Sequence, residues 1–189
     1  APGAARWISL LAVVIDLAIL TTFWLRTPVP LDATGGPWLL DIQAPWIPQF
    51  GITFHLAIDG LGLLMLLLTM FIGVTAVLSS WSEIQKRVGF FYFNLMWVIS
   101  GIAGVFMAMD LFLFYFFWEM MLIPMYLLIA IWGYERRIYA AMKFFLFTQL
   151  SGLLMLLGIL KLAFTHAAVT GTYTFDYFEL LGTSLPPTA

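Results

Sequence analysis

The chain has 189 residues, with 8 Lys and Arg, 10 Asp and Glu, 2 His, no Cys and a formal net charge of −2. Apolar residues make up 63% of it and charged residues 10%, against about 25% charged in a soluble domain. So few charges cannot build a water-facing shell or neutralise a nucleic-acid backbone. The lack of Cys excludes disulfide scaffolds, thiolate metal sites, Fe–S ligation and c-type haem attachment. A membrane protein remains.

A helix needs about 20 apolar residues to cross a bilayer, and the charges leave room for five such runs. The first is predicted over about 7–25, between Arg6 and Arg26, and is interrupted only by Asp16. Residues 27–58 are expected as a loop outside the hydrocarbon. They hold Pro28, Pro30, Pro37, Pro45 and Pro48, together with Gly35 and Gly36. The end of this loop, Ile52 to Ile58, alternates apolar with less apolar residues, the period of a short extended segment at the membrane surface. Trp38 and Trp46 suit the interface. The remaining helices are predicted over about 60–81, 89–109, 111–132 and 138–164. The first two carry no charge, the third carries Glu119, and the last carries Lys143 and Lys161 near its ends. The runs are too long and too continuous for barrel strands, and a backbone in lipid must satisfy its own polar groups, which favours helices. The fold class is therefore all-α membrane protein. One membrane region covers 1–189, and 166–189 forms a polar tail.

Lys and Arg set the orientation. If the first helix starts on one side, that side receives Arg6, Lys86, Arg87, Arg136 and Arg137, and the other receives Arg26 and Lys161. The positive-inside rule then places the N-terminus in the cytoplasm and the tail outside. The chain starts Ala-Pro-Gly and stops in a Pro-rich stretch. Both ends have the look of cuts, so a segment of a larger protein is expected.

An ionisable side chain in the bilayer core costs about 2.5–3.5 kcal/mol on insertion scales. Glu119 lies eight residues beyond Leu111, about 12 Å into its helix at 1.5 Å per residue. Tyr115 and Tyr126 share its face. Burial favours the neutral carboxyl and a nearby cation favours the charged one, so a carboxyl held between the two can load and release a proton. The alternative is an inert, hydrogen-bonded acid. Pro124 lacks an N–H, which frees the carbonyl of Met120 and kinks the helix, either for packing or to hold water.

Lys143, five residues inside its helix, either snorkels to the surface or relays protons. Thr148, Gln149 and Ser151 offer polar groups on the same helix, as helix–helix contacts or otherwise. Lys161 suits an outer anchor. Asp16 falls mid-helix, where it could serve a second pathway or face a neighbouring subunit. Asp59 and Asp110 stand at helix starts and are expected as caps. His55 is expected as a loop or interface residue. With two His in the chain, a haem or metal cage is improbable.

Specific strings go further. His55-Leu56-Ala57-Ile58-Asp59-Gly60-Leu61 is followed by Phe90 to Trp97, ending Asn94-Leu95-Met96-Trp97. Then come Phe114 to Tyr126, reading FYFFWEMMLIPMY, and Lys143-Phe144-Phe145 with Thr148-Gln149-Leu150-Ser151-Gly152. In these the chain resembles the proton-translocating antiporter-like membrane subunits of respiratory complex I, over most of its length from Arg6. The resemblance implies that Glu119 is the proton-channel glutamate of the family's fifth helix. It implies that the chain holds about the second to the sixth of roughly fourteen helices, in a fold built from inverted repeats. The lysine expected to pair with Glu119 would lie on a later helix, outside this sequence, so the chain could not pump alone. No redox centre is expected in it. NADH, FMN, Fe–S clusters and quinone would be bound by other subunits of the complex, which are its expected partners together with the lipid bilayer. The expected location is the bacterial inner (plasma) membrane, or the mitochondrial inner membrane if organellar. A multisubunit cation/proton antiporter or membrane-bound hydrogenase subunit shares this helix set, and a passive membrane scaffold is the alternative from another class. Three departures stand out: Gly62 where the family often has Ser, a short turn at Gly133 to Arg137, and Asp16 and Lys161, which match no family element.

Overall fold

A computed structural model describes residues 2–26 and 38–183. Five helical segments in it are long and apolar enough to cross a membrane. In order they are α1 (Pro2–Arg26), a hairpin of β1 (Leu40–Ile47) and β2 (Ile52–Ile58), α2 (Gly60–Glu83), α3 (Val88–Met107), α4 (Leu111–Met120), α5 (Leu122–Trp132), α6 (Arg137–Thr170) and the short α7 (Tyr177–Leu181). The five predicted spans are all found, with α4 and α5 together forming the fourth. This is a multi-pass membrane protein.

Large apolar side chains cover the outside of the bundle, among them Trp7, Leu25, Phe71 and Leu154, all more than half exposed. A helix that is apolar all round matches a lipid environment rather than water. Inside, Val13 of α1, Met70 of α2 and Ile99 of α3 form one core cluster. Closer to the hairpin, Ile58, Leu63 and Leu66 form another, with Phe23 and Met107 against them. Small residues let helices approach: the ring of Phe117 lies over Gly104 and the side chain of Met121 over Gly101, the packing expected where no hydrophobic drive separates helix from lipid.

The two ends of the bundle differ. At the hairpin end, α2, α4 and α7 are capped by Asp59, Asp110 and Asp176, each accepting backbone N–H groups of its helix. The capping expected of Asp59 and Asp110 is thus found. At the opposite end Arg6 donates from Nη2 to the carbonyl of Ile84 (2.8 Å). Trp132 donates from Nε1 to the carbonyl of Lys86 (2.9 Å), and Arg137 from Nη1 to that of Ile131 (2.9 Å). These bonds bring together the stretches that carry Arg6, Lys86, Arg87, Arg136 and Arg137, so the cations gather at one end as their alternation along the chain required. Arg87 there precedes α3 in a left-handed conformation (φ 51°, ψ 42°).

One expectation is filled out and another needs correction. Within the expected loop 27–58, residues Leu40–Ile58 pair as an antiparallel hairpin, with Gln43 opposite His55. The extended segment Ile52–Ile58 was legible, but its partner strand was not, because Pro45 argued against a strand. Pro45 sits at the register shift between Pro45 and Ile47, where a residue without an N–H is tolerated. Pro28, Pro30, Pro37, Gly35 and Gly36 lie outside the described residues. The last helix does not stop near 164 but continues to Thr170, so the start of the predicted tail is helical. Thr165 and Thr170 bond back to the carbonyls of Lys161 and His166 (2.8 and 2.9 Å), which satisfies polar groups within the helix. Gly171, at φ 80°, then ends it.

Candidate functional site

Glu119 is the next-to-last residue of α4. Its carboxyl group turns inward to α6 and rests on Gly152, so closely that a methyl group there would collide with Oε1. Gly152 is buried, and its missing side chain is what admits the carboxyl between the helices. Tyr115, one turn earlier, faces the same glycine. Tyr126 also faces α6, packing on Phe145 (ring centroids 5.7 Å apart) with its hydroxyl 3.8 Å from Sδ of Met142. The three side chains that the helical period put on one face therefore all meet one neighbour.

The helix carrying Glu119 is interrupted immediately after it. α4 ends at Met120 and α5 begins at Leu122, with Met121 between them. Pro124 is fully buried. Its missing N–H leaves the Met120 carbonyl without the usual helical donor, which is the interruption expected from the sequence. Glu119 thus stands beside freed backbone, at about 12 Å along a span of roughly 33 Å.

Lys143 is exposed. Its Nζ lies over the ring of Tyr139 on its own helix, 5.7 Å from the centroid. Along α6 it is nine residues before Gly152, about 13 Å of rise, so the structure does not bring Lys143 and Glu119 together. Thr148 is committed to the carbonyl of Phe144 (2.7 Å). Asp16 is exposed on α1. Lys161, also exposed, is 24 residues into α6, about 36 Å from its start. Ile159 and Ala163 on either side of it pack against Ile52 of the hairpin.

The most densely bonded polar cluster is one that sequence reasoning missed. His55 of β2 is buried, with Nδ1 2.6 Å from Asp176 Oδ2 and Nε2 3.1 Å from Asp41 Oδ1. Asp110, completely buried, accepts from Phe112 N and Leu113 N through Oδ1 and from Thr53 N and Thr53 Oγ1 through Oδ2. Burial nonetheless outweighs those four hydrogen bonds and lifts the proton affinity of Asp110 above that of an ordinary aspartate. The backbones of Asp110 and Asp176 pair as an isolated bridge. The cluster fastens the segment before α7 to the hairpin. Asp176 lies 121 residues from His55, and no local pattern announces such a pairing. Among the described residues, no three His, Asp or Glu side chains come together as a metal site.

Residues 108–184 match the family model described as the transmembrane region of NADH:quinone oxidoreductase/Mrp antiporter proteins. The chain is 53% identical over 187 residues to NADH-quinone oxidoreductase subunit M of Escherichia coli, covering 95% of this chain and 37% of that protein. Over nearly all of its length the chain is therefore similar to an antiporter-like membrane subunit. Subunit M of Pseudomonas aeruginosa gives 52% identity, over 96% of this chain and 38% of the relative. The chain thus spans little more than a third of the length of the curated relatives it matches. Among solved structures, a chain of respiratory complex I from Thermus thermophilus with bound NADH superposes with a TM-score of 0.78 at 26% identity, over 96% of this segment and 35% of that chain. The Mrp complex of Dietzia sp. superposes with a TM-score of 0.74 at 19% identity, over 96% of the segment and 19% of that chain, a likeness of fold alone.

Proposed function

We propose that this segment is part of a proton-translocating membrane subunit of an NADH–quinone oxidoreductase, and that Glu119 carries the proton. The observation that carries the proposal is one half-buried carboxyl group well along a helix of membrane-spanning length, seated on Gly152 and flanked by a helix break. Keeping such a group there costs stability, and an exchangeable proton gives it a use. Electron transfer from NADH to quinone would occur in other subunits. Motion there would bring a cation on a later helix towards Glu119 or away from it: on approach the carboxylate is favoured, on retreat the carboxyl takes up a proton.

Lys143, near the cation-rich start of α6, would feed protons from that side. The cation-rich end would be cytoplasmic in a bacterial plasma membrane, and the other membrane subunits would be the partners. The family model matched by residues 108–184, whose description also takes in Mrp antiporters, supports a second reading, a cation/proton antiporter subunit.

The test is Glu119→Gln in the assembled complex, with NADH-driven proton uptake and quinone reduction measured together. Proton pumping should be abolished while the complex still assembles; normal pumping by an assembled variant would overturn the proposal. Lys143→Gln in the same assay should slow pumping without abolishing it. Sodium-driven proton movement independent of NADH would favour the antiporter reading.

A further inference from the structure

At the cation-rich end a cavity of about 560 Å³ opens between the α2–α3 turn and the α5–α6 turn. Its lining includes Lys86, Arg87 and Arg137 against one carboxylate, Glu83. Among the described residues no lysine or arginine forms a salt bridge with a carboxylate; the two that occur both involve His55. The cavity therefore keeps a surplus of positive charge. It lies where four helix ends meet, α2 and α5 finishing at Glu83 and Trp132 and α3 and α6 starting at Val88 and Arg137. In a bundle of membrane-crossing helices that is the level of the lipid headgroups.

The wall of the cavity continues towards the hydrocarbon as apolar surface. Trp132 lines it, and the rings of Phe90 and Phe91 pack on Trp132 with centroids 6.0 and 5.2 Å away. Phe90 and Phe93, three residues apart on α3, are both exposed, so they form a strip leading from the cavity along the helix. Cations at headgroup depth above an exposed aromatic strip make an amphipathic site. We propose that this cavity binds the phosphate of an anionic phospholipid, with Lys86, Arg87 and Arg137 as its donors and an acyl chain lying on Phe90 and Phe93. Free phosphate would meet the same cations but leave the strip unused. The surplus charge selects anionic over zwitterionic lipid. This site does not depend on the role assigned to Glu119.

The experiment uses the full-length subunit in its assembled complex, reconstituted in nanodiscs of phosphatidylcholine with a trace of photoactivatable phosphatidylglycerol. Crosslinks should map to the peptide containing Phe90 and Phe93 or to that containing Trp132. Unlabelled phosphatidylglycerol should compete, while inorganic phosphate should not. Lys86→Gln with Arg87→Gln should weaken competition by roughly 30-fold, because each Lys or Arg near an anionic surface contributes about fivefold in affinity. Arg137 also holds the carbonyl of Ile131, so it is left intact to preserve the turn. The double variant should retain quinone-coupled proton pumping in a complex of normal composition. Crosslinks elsewhere, equal competition by inorganic phosphate, unchanged competition in the variant, or a map of the assembly with protein filling the cavity would each overturn the site.

Discussion

Asp110 shows how a single buried carboxyl can hold two elements while carrying a penalty of its own. It joins the start of α4 to Thr53 of the hairpin through four accepted hydrogen bonds, and burial still raises its proton affinity. A carboxyl that binds its proton more tightly when folded favours the fold at acid pH. That favour is lost as the pH rises from the ordinary aspartate value through the raised one. In Asp110→Asn the penalty disappears, but an amide has one acceptor oxygen, so at least one N–H at this junction loses its partner, at about 1–3 kcal/mol. The variant should unfold at a lower temperature than the wild type. The gap should be widest in acid, below the ordinary aspartate value, and narrow as the pH rises from there, as read by thermal unfolding in detergent. A gap that widened with pH would contradict the assignment. His55 depends on geometry in a different way. Its two ring nitrogens reach Asp176 and Asp41, so one side chain ties β1 and the segment before α7 to β2.

At the scale of elements, the decisive contact is α4 on α6 at Gly152. Gly152→Ala would place a methyl group against Oε1 of Glu119, and overpacking of this kind costs about 1–3 kcal/mol. The carboxyl must then leave its seat or the helices must part, so under the proposed role of Glu119 proton pumping should fall sharply in the assembled complex. Gly158→Ala, two turns further along the same helix with open space around it, should pump normally. Equal pumping by both variants would mean that the seat of Glu119 is irrelevant.

The helices themselves were legible because long apolar runs between charges leave few alternatives in lipid. The face shared by Tyr115, Glu119 and Tyr126 followed from the helical period, and the interruption near Met120 from Pro124. What that face packs against did not follow, since nothing in WEMMLIPMY names Gly152. Strand β1 was hidden by Pro45 despite the alternation of Leu40-Asp41-Ile42-Gln43. The end of α6 was placed too early because Thr165 and His166 look polar in sequence, whereas Thr165 bonds back to its own helix and His166 is buried with Nδ1 2.8 Å from Thr183 Oγ1.

Over the whole molecule, the turns divide cleanly between two rims, and this permits a direct test of sidedness. The chain has no cysteine, so single cysteines can be introduced at exposed positions of it and read against the unsubstituted chain as control. Tyr134 lies between α5 and α6 at the cation-rich rim and is 91% exposed; Thr172 follows α6 at the hairpin rim and is also exposed. In sealed right-side-out vesicles an impermeant thiol reagent should label Thr172→Cys and spare Tyr134→Cys, and inverted vesicles should reverse the result. The opposite pattern would turn the segment over. The described residues also make the rims unlike in sign. Asp41, Asp59, Asp110, Asp176 and Glu179 cluster by the hairpin, while Arg6, Lys86, Arg87, Arg136 and Arg137 crowd the other rim. An energised bilayer acts on such a polarised body with about 2.3 kcal/mol per elementary charge for each 100 mV. With the basic rim on the negative side, the resting voltage itself holds the segment upright, so a de-energised cell would lose one of the forces that keep this bundle from being threaded backwards.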